Sequence, residues 1–273
     1  MIINTILLLP SLVAAFCHYG TTLHLESQLR RRDTKSPEYS YQGITGPLAW
    51  HTLDPKNALC ATGSNQSPIN IIPGQQRTVS GASFRFKPEP YPRGAKFENL
   101  GHTVQLPING SMIVDGREYE LVQFHFHTPS EHQLSGEYYV VEVHFVAQTK
   151  DSAISVLGFW VEIGDASDCI SDVISSVLSN VDKISRAGDS TLTEALDFTR
   201  LQAHLSRSSV YQYNGSLTIP PCSENVIFNV VDKPLFIDVK TFRRLKKVLK
   251  FNSRYIQNSP GAVNLLMNAA NTL

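Results

Sequence analysis

The sequence carries no excess of either charge. In 273 residues, 24 Lys and Arg stand against 24 Asp and Glu, a formal net charge of zero. That balance removes the electrostatic footprint of a nucleic-acid-binding domain, so no nucleic-acid partner is expected. Long apolar runs are missing too. Crossing a bilayer takes about 20 residues, and the apolar stretch at residues 5–16 is shorter and is interrupted by Pro10. The chain ends in Asn-Ala-Ala-Asn-Thr-Leu without an apolar tail, so neither a transmembrane nor a GPI anchor is expected. The sequence has no internal repeats and no low-complexity linker, and its length suits one large domain. With 42% hydrophobic residues it can fill a substantial core, which excludes a disordered polymer.

Basic residues are missing before Arg30, yet residues 1–20 read as a secretory signal peptide. The run Thr-Ile-Leu-Leu-Leu-Pro-Ser-Leu-Val-Ala-Ala-Phe supplies the apolar centre, and Ala14 and Ala15 are small residues near a cleavage point. A buried N-terminal strand is the alternative, and Pro10 and the polar stretch that follows speak against it. Residues 21–36, with Arg30, Arg31 and Arg32, read as a pro-segment or a solvated arm, and 37–273 as the domain proper. Loss of the leading 32 residues removes three arginines and one glutamate and turns the chain slightly acidic. Cysteine is scarce: Cys17 falls in the leader, leaving Cys60, Cys169 and Cys222. In an oxidising compartment that set allows one disulfide and one spare thiol, and spacing alone does not choose the pair. Asn65, Asn109 and Asn214 each open an Asn-x-Ser sequon, an acceptor for N-glycosylation on a secretory route.

The body reads as short strands punctuated by Gly and Pro. Residues 84–86, 103–106, 119–127, 138–148, 153–162 and 226–231 combine β-branched or aromatic enrichment with turn residues at their ends. Asn109-Gly110 and Asp115-Gly116 are turn signals flanking Met112-Ile113-Val114. Ile170, Val173, Ile174, Val177, Leu178, Val181 and Ile184 recur at helical spacing and predict an amphipathic helix. Asp238 is placed to cap a second helix with Phe242, Leu245 and Leu249 inward and Arg243, Arg244, Lys246 and Lys247 on a solvated face. The expected fold class is mainly β, a β-rich α+β domain with peripheral helices.

The chemistry lies in histidine. Residues 119–127 have a strand pattern, so His125 and His127 project from one face, with Gln123, while Phe124 and Phe126 point into a core. Residues 139–146 form a second such strand that puts Glu142, His144 and Val146 on one face. If the two strands are neighbours, three imidazoles converge. Three neutral histidines with an open fourth position form a catalytic zinc arrangement. Each histidine alone is more often structural than ligating. The combination is stronger, because Gln123 and Glu142 are placed to hold the ring tautomers. A Glu142 without a partner would also be costly to bury in a Val-rich strand.

These residues sit in a longer series of motifs: Gly63-Ser-Asn-Gln-Ser-Pro-Ile-Asn70, Asn99-Leu-Gly-His102, Gln123-Phe-His-Phe-His-Thr-Pro-Ser-Glu-His132, Glu142-Val-His144, Gly215-Ser-Leu-Thr-Ile-Pro-Pro-Cys222 and Asn252-Ser-Arg254. Together they resemble the α-class carbonic anhydrases from about Tyr39 to Gln257. The short Thr-Pro-Ser connection before Glu131 looks like bacterial and fungal members. The resemblance implies a single domain built on a large, twisted, mostly antiparallel central sheet, with zinc at the bottom of a conical cleft. It implies reversible hydration of carbon dioxide to bicarbonate and a proton by zinc-bound hydroxide. His125, His127 and His144 would be the ligands, and Thr218 and Glu131 would aim the nucleophile. His102 would be the proton shuttle, read from sequence as a loop histidine exposed to solvent. Tyr41, Asn99 and Gln105 would line the polar water path, and Val146, Val156, Leu217, Ile219 and Val226 the substrate pocket. Cys60 and Cys222 would form a disulfide, leaving Cys169 free. Carbon dioxide and bicarbonate are then the small-molecule partners, and anions and sulfonamides the expected inhibitors.

The sequence also departs from the family pattern. Ile219 replaces a common Thr, which is expected to alter anion and sulfonamide affinity. Leu100 and Gln105 stand at common Asn positions, and Phe228 at a usual Trp. Two other functions compete, a zinc esterase of the same architecture and a zinc-free binding module. The latter class typically loses a ligand histidine, and all three are present here.

Overall fold

The structure is a computed structural model and describes residues 39–165 and 171–270. The expected signal peptide and pro-segment, Cys17 and Cys169 lie outside the described residues. Among the described residues, no helix is long and apolar enough to cross a membrane.

Strands dominate. In chain order they are β1 (Asn70–Ile71), β2 (Arg77–Ser80), β3 (Arg85–Pro88), β4 (Lys96–Asn99), β5 (Val104–Pro107), β6 (Gly110–Val114) and β7 (Arg117–His127). There follow β8 (Gln133–Leu134), β9 (Glu137–Tyr138), β10 (Val141–Gln148), β11 (Ile154–Ile163), β12 (Ser190–Leu192), β13 (Ser209–Ser216) and β14 (Glu224–Ile237). Strands β1, β8 and β9 form a small sheet, and the other strands one large sheet in the order β12-β4-β5-β7-β10-β11-β14-β13-β2. β6 joins that sheet on β7 and carries β3. Every pair in the large sheet is antiparallel except β11 with β14. The mainly β fold expected from the sequence, with the mostly antiparallel sheet that the resemblance implies, is the fold found.

Short helices lie at the periphery: α1 (Trp50–Leu53), α2 (Leu59–Thr62), α3 (Asp172–Leu178), α4 (Thr199–Ser206), α5 (Val239–Leu249) and α6 (Leu265–Ala270). Helix α5 follows its sequence pattern. The Asp238 carboxylate accepts from the Lys240 and Thr241 amides, which satisfies orphan donors of the first turn. Leu245 is buried while Arg243, Lys246 and Lys247 are exposed. The helix expected over 170–184 is shorter. Ser171 caps α3, and the apolar series continues as a 3₁₀ turn at Val181–Ile184. Between them the Asn180 side-chain amide donates to the Leu192 carbonyl at 2.9 Å.

The two turn signals behave differently. Asp115 and Gly116, with φ of 48° and 79°, make a two-residue hairpin between β6 and β7, a turn whose twist matches the strands. Asn109-Gly110 makes no hairpin. It bends the chain so that β5 and β6 follow one another along the same edge of β7.

Strand alternation sorts the sheet into two faces. Phe124, Phe126, Val143, Phe145, Leu157 and Phe159 fill a large core closed by α3 and Leu245 of α5. The register between β7 and β10 shifts at Val146/Ala147, with Val146 opposite Gln123 and Ala147 opposite Leu121. The bulge flips the alternation, so Tyr119 and Leu121 join the phenylalanine core while Gln123, His125 and His127 face the other way. On that face a smaller cluster gathers Val146, Val156, Trp160, Leu217, Val226 and Phe228.

Cys60 of α2 and Cys222 are joined by a disulfide across 162 residues, the pairing expected from the resemblance. It ties the loop after β13 to the N-terminal helices. Closing a loop of that length is worth about 4–5 kcal/mol in the chain-entropy treatment. Chemical denaturation of a Cys60→Ala/Cys222→Ala variant should show that loss, and an unchanged midpoint would contradict it.

Candidate metal centre and active site

Antiparallel pairing sets His144 opposite His125 and Glu142 opposite His127. The three rings therefore converge, with centroid separations of 4.9, 5.4 and 4.8 Å. One candidate ligand nitrogen from each histidine lies within 4.8 Å of the others. Across the next strand, Gly158 pairs with His144. A Cβ there would stand 3.3 Å from Glu142 Oε1 and 3.5 Å from His144 Cδ2, so glycine leaves these side chains their space.

The other nitrogen of each ring is engaged. His125 Nδ1 meets Gln123 Oε1 at 2.9 Å, His127 Nδ1 donates to the Asn252 carbonyl at 2.8 Å, and His144 Nε2 donates to Glu142 Oε1 at 2.7 Å. These bonds leave the lone pairs on His125 Nε2, His127 Nε2 and His144 Nδ1, the arrangement of metal-ligating histidines. His127 Nε2 is buried and has no hydrogen-bond partner. Burial holds all three pKa values below the ordinary histidine range, His127 at about 4. Neutral rings with convergent lone pairs and an orphaned buried nitrogen fit a divalent metal of the zinc type.

Glu142 is the hub beneath them. Its Oε2 accepts from the Glu131 and His132 amides at 2.9 and 2.8 Å, and its Oε1 from His132 Nδ1 and His144 Nε2, each at 2.7 Å. Burial by itself raises the carboxyl's pKa, but His132 and His144 hold it well below the usual range. Because His132 donates from Nδ1, its Nε2 accepts from the Tyr213 hydroxyl at 2.7 Å. That hydroxyl meets Ser67 Oγ at 2.7 Å. The sequence reading missed His132, Tyr213, Ser67 and Asn252 as supports. The available signal was Glu142 itself, since a buried carboxylate needs several donors.

Glu131, also fully buried, accepts from the Arg254 amide on Oε1 at 3.0 Å. Its Oε2 lies 3.4 Å from His127 Nε2 and 3.9 Å from His144 Nδ1. Burial pushes its pKa up to about 7, opposed by His144 and by the Thr218 hydroxyl. Thr218 is thus brought to Glu131, in a loop held by the bonds Leu217 N–H to Ser223 O and Cys222 N–H to Ile219 O. Val146, Val156, Leu217 and Val226 share one apolar cluster.

Three expectations need correction. His102 is not an exposed loop residue: it is 8% accessible and packed on Tyr39. Asn99, expected on a water path, is anchored at both ends of its side chain. Its Nδ2 donates to the Ile184 carbonyl and its Oδ1 accepts from the Gly101 amide, both at 2.7 Å, so both ends of the side chain tie down backbone. Ile219 does not join the apolar cluster beside the histidines but packs with Tyr39, Trp50, Cys60 and Cys222. Gln105 pairs with His125 across β5 and β7 and shares its face, and the Tyr41 hydroxyl is buried.

This geometry is that of a three-histidine metalloenzyme centre on a β-sheet. A model of the eukaryotic-type carbonic anhydrase family matches residues 45–265, and the chain belongs to that family. It is 30% identical over 233 residues to a carbonic anhydrase of Pectobacterium carotovorum, a match spanning 84% of this chain and 91% of the relative. The solved fungal alpha carbonic anhydrase of Aspergillus oryzae is 42% identical, with a TM-score of 0.82 over 86% of this chain and 99% of that one. The alpha carbonic anhydrase of Thermovibrio ammonificans, solved in complex with sulfanilamide, is 31% identical, with a TM-score of 0.69 over 81% and 95%.

Gln123→Ala removes the bond to His125 Nδ1 and should weaken metal binding about 10- to 100-fold, as loss of such a supporting partner does. A zinc competition titration measures it, and an unchanged affinity would mean that Gln123 does not orient the ring.

Proposed function

We propose that the chain catalyses the reversible hydration of carbon dioxide to bicarbonate and a proton, with zinc held by His125, His127 and His144. The convergence of three buried imidazoles, each with its other nitrogen engaged, carries this reading. Zinc at such a centre supplies a Lewis acid that lowers the pKa of a water to about 7, carbonic anhydrase itself being the reference case for that figure.

The protein's part is positioning. Thr218 receives a hydrogen bond from the nucleophile and gives its own hydroxyl hydrogen to Glu131. The Arg254 amide holds Oε1 of that carboxylate. The nucleophile's lone pair is thereby turned toward Val146, Val156, Leu217 and Val226, an apolar wall suited to an apolar gas. Gln123 and Glu142 hold the ligand rings. Protons leave by way of Tyr41, Gln105 and His102, with His102 as carrier. Ile219, packed on the aromatic cluster, places an alkyl side chain next to Thr218 and shifts anion and sulfonamide affinity. The sulfanilamide complex of the Thermovibrio relative supports sulfonamide binding.

The disulfide supports an oxidising destination. In this reading residues 1–20 are a signal peptide, 21–36 a pro-segment or N-terminal arm and 37–273 the secreted domain. The sequons Asn109 and Asn214 are exposed and suited to carry glycans, while Asn65 is half-buried.

Stopped-flow hydration of carbon dioxide tests the assignment. Zinc-replete wild type should be active, and His144→Ala should lose activity and zinc together; inactive zinc-replete wild type would falsify it. His102→Ala should slow turnover mainly at low buffer concentration and recover with added imidazole. Failure of imidazole to rescue would remove His102 from the proton path.

A further inference from the structure

The densest positive charge in the described chain lies on α5, which supplies no group to the candidate metal centre. Residues 239–250 hold six basic residues and no acidic one. The rest of 33–273 holds 15 basic residues against 23 acidic ones, so one cationic helix stands on an acidic body. Its apolar side is spent inward: Leu245 is fully buried, and Phe242, Val248 and Leu249 pack on the large core. That core lies across the sheet from the histidines.

Two of the six cations are engaged. Arg244 Nε meets Asp182 Oδ2 at 2.5 Å, and Lys246 Nζ stands 5.5 Å from the centroid of the Phe242 ring. The Asp238 carboxylate is taken up by the Lys240 and Thr241 amides and the Thr241 hydroxyl. Lys240, Arg243, Lys247 and Lys250 are exposed, and none of the four has an ion-pair partner among the described residues. At steps of three and four residues, Lys240, Arg243 and Lys247 share one side of the helix over about 10 Å. Like charges so spaced repel, a cost that a polyanion laid along them reverses. Lys250 follows at the helix end, and beyond it the surface changes. Phe251 is exposed and lines, with Leu48, Tyr138 and Tyr255, a largely apolar cavity of about 390 Å³.

We infer that α5 and Phe251 form a docking surface for an acidic polysaccharide, a linear glycan carrying sulfate or phosphate groups along its length. The cations meet the anionic groups and release their counterions, as any polyanion complex does. The C–H face of a sugar ring packs on Phe251, a contact that a purely inorganic polyanion cannot make. A membrane fits this helix poorly, because a helix that lies in a bilayer surface buries its apolar side in lipid and here the core holds that side. The choice of a glycan over a nucleic acid rests on the secreted destination proposed for the chain. A glycan docked on α5 lies across the sheet from the histidines and leaves the candidate metal centre open.

The test is a titration of the zinc-loaded protein with dextran sulfate over a series of salt concentrations, with uncharged dextran as reference. Wild type should bind the sulfated chain alone, more weakly as salt rises. Lys240→Gln/Arg243→Gln/Lys247→Gln should bind about 30-fold more weakly and lower the log–log salt slope by about 2–3. Lys56→Gln/Arg85→Gln/Lys87→Gln removes the same charge from exposed positions elsewhere and should bind as wild type. Phe251→Ala should lose about fivefold on dextran sulfate, the worth of one ring contact, and nothing on inorganic polyphosphate. Wild type that does not bind overturns the inference. So does an equal loss in the two triple variants, because net charge alone would then be at work. An unchanged Phe251→Ala removes the sugar contact and the polysaccharide with it. Tighter binding to single-stranded DNA or to phosphatidylserine vesicles than to dextran sulfate overturns the inference in favour of that partner. A wild-type melting curve certifies the fold; if the α5 triple variant lacks it, Lys247→Gln alone, expected about threefold weaker, carries the same comparison.

Discussion

The Glu142 carboxylate, buried without solvent contact in β10, is the constraint around which the site is organised. A lone charge at that depth would cost several kcal/mol, and the structure meets it with donors from four groups. Two are backbone amides that fix the Glu131–His132 segment, and two are imidazoles whose tautomers the carboxylate selects. One residue thus sets the proton on His144, the place of Glu131 and the orientation of His132. From His132 the network runs through Tyr213 and Ser67 to the Ser216 amide in β13. The candidate metal centre, the Glu131–Thr218 pair and strand β13 beyond are parts of one hydrogen-bonded body.

The sheet makes that body rigid. Ligands on paired strands take their separation from the strand spacing and their direction from the pleat, and the phenylalanines on the opposite face lock both strands into the large core. The bulge opposite Val146/Ala147 allows β7 to serve the core with Tyr119 and Leu121 and the site with Gln123, His125 and His127. The Thr218 loop lacks strand support, and there the Cys60–Cys222 bond does the corresponding work.

Much of this was legible in the sequence, for local reasons. Period-two alternation placed His125, His127 and His144 on one face with Gln123 and Glu142 beside them, and it required only that the two strands be neighbours. Asp238 and the Asp115-Gly116 turn were legible because a cap and a tight turn are satisfied by adjacent residues. The failures share a cause in distant partners. His102 is buried against Tyr39, which is not adjacent to it in the chain. Asn99 is diverted by the Ile184 carbonyl. Ile219 packs with the disulfide cluster, and the 170–184 pattern divides into α3 and a 3₁₀ turn at a point where the Asn180 side chain reaches Leu192. His132 lay within a motif already noted, and its support of Glu142 emerged only with the geometry.

A second group of possible ligands, His132, Glu142 and His144, lies beside the first, and the central claim is that His132 and Glu142 orient the metal ligands without binding the metal. Anomalous diffraction at the zinc edge from crystals of the zinc-loaded protein tests this most directly. One peak about 2.0–2.1 Å from His125 Nε2, His127 Nε2 and His144 Nδ1, with Glu142 outside the coordination sphere, is the predicted result. A peak between His132, Glu142 and His144, or no bound metal at all, would contradict it.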